Sequence, residues 1–218
     1  SIDAEAVGRA RGTLTIIGTG PGAEDWRTPA ASREAAKASD AVGYGPYLDL
    51  LGAAIARARR HEFALGEEEV RARHALTLAA EGRRVVLVSS GDPGIYAMAT
   101  LVFELIEREP RFARIALAVE PGVSAMQAAA ARAGAPLGHD FCAISLSDLL
   151  TPWSVIEQRL QAAARGDFVV ALYNPKSRRR TEQLVQALAM LSEERAPQTP
   201  VVVARALGRP DEHVTITT

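Results

Sequence analysis

The 218 residues hold a single cysteine, Cys142. No internal disulfide and no thiolate metal cluster can therefore form within the chain. No apolar run approaches the roughly 18–20 residues that cross a bilayer, and no signal-peptide pattern stands in the residues that follow Ser1. Neither sign of charge is in excess. With 25 basic and 26 acidic residues the formal net charge is −1, which argues against nucleic-acid binding by the whole surface and confines any anion site to a local cluster. The four histidines, His61, His74, His139 and His213, show no H-x-x-x-H spacing, so no metal site is indicated. There is no low-complexity linker and no simple repeat. These absences leave a globular chain of ordinary composition, long enough for one large domain or two smaller ones, and a cytoplasmic protein is the expectation.

What is present is a recurring unit of strand, tight turn and helix. Residues 1–11 are polar and irregular and read as a tail. Short β-branched or apolar runs predict strands at Thr13–Ile17, Ala41–Tyr44, Val85–Ser90, Ile115–Glu120, Phe141–Leu146, Phe168–Tyr173, Pro200–Ala204 and Val214–Thr217. Helical patterns cover Thr28–Ser39, Tyr47–Arg60, Glu67–Glu81, Ile95–Arg108, Ala125–Arg132, Trp153–Ala164 and Arg179–Leu191. Strands alternating with helices give an α/β class with largely parallel sheets. The best domain boundary lies near Val119–Gly122, which divides the chain into 1–118 and 119–218.

Three strand-to-helix turns are rich in glycine: Gly18-Thr19-Gly20-Pro21-Gly22, Gly91-Asp92-Pro93-Gly94 and Pro121-Gly122-Val123-Ser124. Open α/β sheets bind ligands at the carboxyl ends of their strands, and glycine lets backbone approach a ligand closely. Asp92 reads as an N-cap with Pro93 at the first helical position, and Ser124 with Gln127 has capping-box spacing. Any one turn could merely punctuate the fold; three together favour a ligand site. Gly18, Gly20 and Ala23 formally fit G-x-G-x-x-A, but no acid ends the second strand to hold a ribose, so a nicotinamide dinucleotide is a poor fit.

Read in order, Gly18–Gly22, Ser90–Gly94 and Glu120–Ala125 resemble the successive signatures of the tetrapyrrole (corrin/porphyrin) methylases, and the resemblance covers nearly the whole chain. Three further stretches narrow it: Gly43-Tyr44-Gly45-Pro46-Tyr47, the run from His139 to Trp153 with Ser145-Leu146-Ser147-Asp148-Leu149-Leu150-Thr151-Pro152, and Ala171-Leu172-Tyr173-Asn174-Pro175-Lys176-Ser177-Arg178. These are similar to the members that methylate C17 of precorrin-3B and contract its ring in cobalamin biosynthesis. The loop Ala23-Glu24-Asp25-Trp26-Arg27-Thr28-Pro29 departs from the family pattern. The family also continues past the position of Thr218, so a truncated C-terminal end is expected.

The resemblance implies two α/β domains with a cofactor cleft between them, S-adenosyl-L-methionine as cofactor, and a homodimer. Carried over position by position, it implies cofactor contacts at Pro21, Gly91, Asp92, Ile95, Tyr96, Ser124, Ala125, Tyr173, Asn174, Ala204, Arg205 and Ala206. The substrate it implies is a tetrapyrrole, precorrin-3B or its cobalt analogue, with no nucleic-acid or membrane partner. Ring contraction needs proton movement, for which Asp92, His139, Ser147 and Asp148 are the catalytic candidates. Ser147 or Asp148 could equally cap the helix near Trp153. Precorrins carry many carboxylates, so Lys176, Arg178 and Arg179, with Tyr44 and Tyr47, are candidate substrate contacts, although the basic run could also be a solvated helix start. His74, in a charged helix, reads as a solvated surface residue, which leaves His139 with Asp140 as the histidine pair to test. Alternatives are another tetrapyrrole methylase (precorrin-4 C11 or uroporphyrinogen-III), an RNA methyltransferase or diphthine synthase of the same fold, and a module that only senses the cofactor.

Overall fold

The structure, a computed structural model, describes residues 12–218. The tail reading for residues 1–11 lies outside the described residues. The chain divides into two compact units. One holds the described residues up to Ala125 together with Ala206–Glu212, and the other holds Met126–Arg205 with His213–Thr218.

The first unit is built on five parallel strands, β1 (Thr13–Gly18), β2 (Asp40–Tyr44), β3 (Arg59–Phe63), β4 (Arg84–Ser89) and β5 (Ala116–Glu120), in the order β3-β2-β4-β1-β5. The helices α1 (Pro29–Lys37), α2 (Gly45–Asp49), α3 (Glu68–Ala80) and α4 (Met98–Arg108) connect the strands. Side chains alternate across a strand, so β1 and β4 feed two cores. Leu14, Ile16, Val85 and Leu87 pack with α3 and α4, while Ile17, Val86 and Val88 pack with Ala31, Ala35 and Leu48 on the other face. Each fully buried leucine or isoleucine here contributes about 1.5–3 kcal/mol of transfer free energy. Because β5 pairs with β1, the expected division at 118/119 falls inside β5.

The second unit has a parallel pair, β6 (Phe141–Ser145) with β7 (Val169–Tyr173), and an antiparallel pair, β8 (Val201–Arg205) with β9 (His213–Thr217). Helices α5 (Ala125–Ala133), α6 (Trp153–Arg165) and α7 (Gln183–Ser192) complete the helix order. Ile144, Leu146, Ile156, Leu160, Ala163 and Ala187 form its core. Among the described residues, no helix is long and apolar enough to cross a membrane.

Three expectations need correction. The helix expected over Tyr47–Arg60 is the short α2, a 3-10 turn at Gly52–Ile55 and then β3. The chain breaks at Gly52, whose φ is +46°, a conformation that costs glycine little. Next, His74 is half-buried rather than solvated, because the missed strand β3 covers it: its Nε2 lies 3.0 Å from His61 Nδ1, and its ring packs on Phe63. Finally, α4 begins at Met98 with Ala97 as its cap, so Asp92 does not cap that helix and Ile95 and Tyr96 precede it. Tyr96, at φ +51°, lies in the left-handed region and cannot sit in a right-handed helical turn.

Candidate functional site

The three glycine turns leave the carboxyl ends of β1, β4 and β5, and these strands are adjacent in the sheet. Residues far apart in sequence thus meet along one edge. The Gly20 N–H donates to the Gly91 carbonyl at 3.2 Å, and the Gly91 N–H returns a bond to the Gly20 carbonyl at 2.9 Å. The closeness requires glycine. A Cβ on Gly18 would lie 2.4 Å from Gly91 O, and one on Gly122 would lie 2.1 Å from the same oxygen.

Asp92 ties two of the turns together. Its Oδ1 accepts from the Gly94 N–H at 2.8 Å, and its Oδ2 accepts from the Gly122 N–H at 3.0 Å. Hydrogen bonds from backbone N–H groups to an ionised carboxylate are among the stronger neutral–charged kind. The segment Ala206–Glu212 closes on the first turn: Arg209 Nε donates to the Pro21 carbonyl at 3.3 Å, and a Cβ on Gly22 would meet Arg209 and the Leu207 carbonyl.

The first turn runs into a 3-10 turn at Glu24–Trp26, and α1 starts only at Pro29, capped by Thr28. A dinucleotide pyrophosphate needs a helix N-terminus directly after its glycine turn, and that geometry is not formed. The three turns also carry Asp92 and Glu120 and no lysine, arginine or histidine.

In the second unit, the carboxyl ends of β6 and β7 gather a polar cluster. The Leu146 N–H donates to Tyr173 O at 2.9 Å, which holds the two ends level. Asn174 turns the chain at φ +51°, and its Nδ2 donates to Ser145 Oγ at 3.0 Å. Arg180 reaches in from the following turn. Its Nη2 donates to Ser147 Oγ at 2.8 Å, its Nη1 donates to Asn174 O at 2.9 Å, and its Nε lies 3.6 Å from Asp148 Oδ1. Gln183 Nε2 donates to Asp148 Oδ2 at 2.9 Å. Neither Ser147 nor Asp148 caps α6, whose cap position is Pro152. Close by, the Tyr173 hydroxyl accepts from the Met126 N–H at 3.3 Å.

Residues 13–218 match the model of the Tetrapyrrole (Corrin/Porphyrin) Methylases. The chain belongs to the tetrapyrrole methylases. A precorrin-3B C(17)-methyltransferase of Sinorhizobium sp is 48% identical over 211 residues, which are 94% of this chain and 81% of that protein. The cobalamin biosynthesis protein CobIJ of Mycobacterium bovis is 48% identical over 199 residues, 91% of this chain but 38% of that longer protein. The crystal structure of the methyltransferase CobJ matches with a TM-score of 0.90 at 48% identity, over 94% of this chain and 86% of that one.

In this tetrapyrrole methylase the expected residues fall into separate groups. Pro21, Gly91, Asp92, Ser124 and Ala125 lie on or beside the three packed turns, with Ile95 and Tyr96 in the loop that follows Asp92. Pro21, Gly91 and Ser124 are buried, whereas Tyr96 is 53% exposed. Tyr44 and Tyr47, at the end of β2 and in α2, meet edge-to-face with centroids 5.2 Å apart. Tyr173, Asn174, Ser147 and Asp148 share the β6–β7 edge, while Ala204 and Arg205 end β8 and Ala206 follows at φ +51°. Lys176, Arg178 and Arg179 are exposed. His139 is exposed and precedes β6, so it sits at the amino end of that strand, whereas Ser147 follows its carboxyl end; the strand between them is about 16 Å long at 3.3 Å per residue. Within the second unit, His139 and the pair Ser147 and Asp148 therefore stand at opposite ends of β6.

Sequence reasoning missed Arg180. It extends the basic run Lys176–Arg179 and falls within the helix expected over Arg179–Leu191, but that helix begins only at Gln183, and Arg180 is buried in the turn before it while the other basic residues are exposed. The signal was Ser177, three residues earlier: its Oγ accepts the N–H groups of Arg179 and Arg180, a local turn that aims Arg180 inward. Burial pushes the Cys142 thiol above its usual value, with the Arg195 charge opposing, which fits a structural side chain better than a nucleophile.

Proposed function

We propose that this tetrapyrrole methylase transfers a methyl group from S-adenosyl-L-methionine to C17 of precorrin-3B, or of its cobalt-bearing counterpart, and contracts the macrocycle. The observation that carries this reading is the near full-length similarity to the Sinorhizobium precorrin-3B C(17)-methyltransferase. When bound, the cofactor supplies an electrophilic methyl on a sulfonium cation. The close-packed glycine turns leave backbone groups free of side-chain bulk, and rigid backbone at the strand ends can read the adenosine and amino-acid parts with little loss of side-chain entropy.

The residue roles follow from their surroundings. Asp92 shapes the cofactor loop, since each of its carboxylate oxygens already accepts a backbone N–H. Ser147 and Asp148 take the proton movements. Ser147 Oγ accepts from Arg180, which leaves its own hydroxyl proton to donate, and Asp148 is half-exposed and acceptor-only when ionised. Exposed Lys176, Arg178 and Arg179 meet substrate carboxylates, and the Tyr44–Tyr47 pair offers an aromatic face to the macrocycle. A homodimer and a cytoplasmic location belong to the same proposal, open to light scattering and cell fractionation.

The test is incubation with S-adenosyl-L-methionine and precorrin-3B, followed by mass spectrometry and absorbance. The expected result is the gain of one methyl with the spectral change of a contracted ring. Turnover of uroporphyrinogen III, precorrin-4 or RNA in place of precorrin-3B would overturn the assignment.

A further inference from the structure

We propose that Arg180 is the positioning residue of the β6–β7 edge, setting the orientation of Ser147 and Asp148 toward the substrate. The proposal rests on the reading of those two residues as the proton-moving pair. Arg180 is 7% exposed, and its fork spans two chain segments that share no element: Nη2 holds the Ser147 hydroxyl, and Nη1 holds the carbonyl of the left-handed Asn174. The turn Ser177–Arg180 fixes the root of the side chain, with the Ser177 N–H donating to Arg180 O at 3.1 Å. The neighbouring cations Lys176, Arg178 and Arg179 are all exposed, so Arg180 is set apart from them by geometry rather than by residue type.

Its Nε is the informative atom. It is buried and makes no hydrogen bond, while Asp148 Oδ1 stands 3.6 Å away, within ion-pair reach and beyond hydrogen-bond reach. A buried donor left unmet is costly, and a guanidinium kept only for stability would be expected to satisfy it. A small shift of the Asp148 carboxylate would complete the set. Gln183 holds the other oxygen of Asp148 at 2.9 Å, so the carboxylate is steered from both sides. Just beyond, Leu149 and Leu150 are 74% and 98% exposed, so the guanidinium anchors the base of a loop whose tip is apolar and free to meet a macrocycle face. Lysine can supply the charge but not the planar fork that joins Ser147 to Asn174.

The experiment compares wild type, Arg180→Lys, Arg180→Ala, Ser147→Ala and the Arg180→Lys/Ser147→Ala double variant in the precorrin-3B assay, with melting temperature and calorimetric binding of S-adenosylhomocysteine measured on each. Arg180→Lys is expected to lower kcat by about 10- to 100-fold, the scale of a reacting group displaced by about an ångström, with KM changed much less. Because both changes strike one geometry, the double variant should be no slower than the slower single variant. Partial recovery of Arg180→Ala on addition of guanidinium would support the same role. Four results would overturn the proposal: unchanged kcat in Arg180→Lys, unchanged kcat in Ser147→Ala, losses that multiply in the double variant, or a kcat loss matched by an equal loss of cofactor affinity. If wild type itself leaves precorrin-3B unmethylated, the functional assignment fails instead, which keeps the two failures distinct.

Discussion

Asp92 shows how one side chain can be conspicuous in a sequence and still have its partner hidden. Its place in Gly91-Asp92-Pro93-Gly94 suggested a helix cap. The structure gives it a longer reach, to the Gly122 N–H thirty residues on. Asp92→Asn keeps the size but replaces one acceptor oxygen with a donor NH2, which then faces a backbone N–H. The expected cost is about 1–3 kcal/mol of stability, the penalty for a donor left unmatched. Loosening the turn should also weaken S-adenosylhomocysteine by about tenfold, a loss of about 1.4 kcal/mol in binding. Denaturant titration reads the first effect and calorimetry the second. Unchanged cofactor affinity would show that the Asp92–Gly122 tie does not shape the cofactor loop.

At the level of elements, burial decided what could be read in advance. β1 and β4 are central, apolar and buried almost throughout, and their runs were evident in the sequence. β3 lies at the sheet edge as Arg-Arg-His-Glu-Phe, and a charged edge strand leaves no apolar run to find. The start of α4 was misplaced because Ile95 and Tyr96 suit a helix by composition, while the backbone at Tyr96 forbids one. The turn between β7 and α7 was legible as basic but not as divided. Its exposed arginines, Arg178 and Arg179, face solvent, and the buried Arg180 does not. Arg178→Ala with Arg179→Ala should therefore raise KM for the tetrapyrrole several-fold, at about 1 kcal/mol or less per exposed charge pair. Melting temperature and cofactor affinity should hold. Added salt should narrow the difference between variant and wild type, because exposed charges are screened. A KM that stays at the wild-type value would make this run plain solvated surface.

For the molecule as a whole, the glycine turns were readable as a set because each is local. Their meeting on one sheet edge was not, because it depends on the strand order β4-β1-β5. The same dependence hid a polar cluster around the buried Asp40 of the first unit, from which a pH dependence of stability is expected. Asp40, 1% exposed at the start of β2, has its Oδ1 2.8 Å from His61 Nε2 and accepts there from Arg83, while Ser39 donates to its Oδ2. Since an ionised carboxylate only accepts, His61 Nε2 carries the proton; in the neutral ring Nδ1 then accepts, and His74 Nε2 donates to it. Burial would raise the Asp40 value, but the bonds from His61, Ser39 and Arg83 outweigh it and hold the carboxyl below its usual 3.8. Burial first, and the facing His61 second, hold His74 below its usual 6.5, with Asp40 and Glu81 opposing and Arg83 adding to the depression. Both shifts act in one direction. The unfolded chain takes up the His74 proton before the folded one does, so this contribution is full above about pH 6.5 and falls as the pH drops toward the lower folded value. The Asp40 contribution is full above about pH 3.8 and is lost as the pH falls through its folded value. Melting temperature should therefore decline in two stages on acidification. His74→Gln, which keeps an amide N–H for His61 but cannot titrate, should flatten the upper stage and leave the lower one in place. A variant whose melting temperature falls between pH 7 and pH 5 as steeply as wild type (windows set by the histidine range) would remove His74 as the cause.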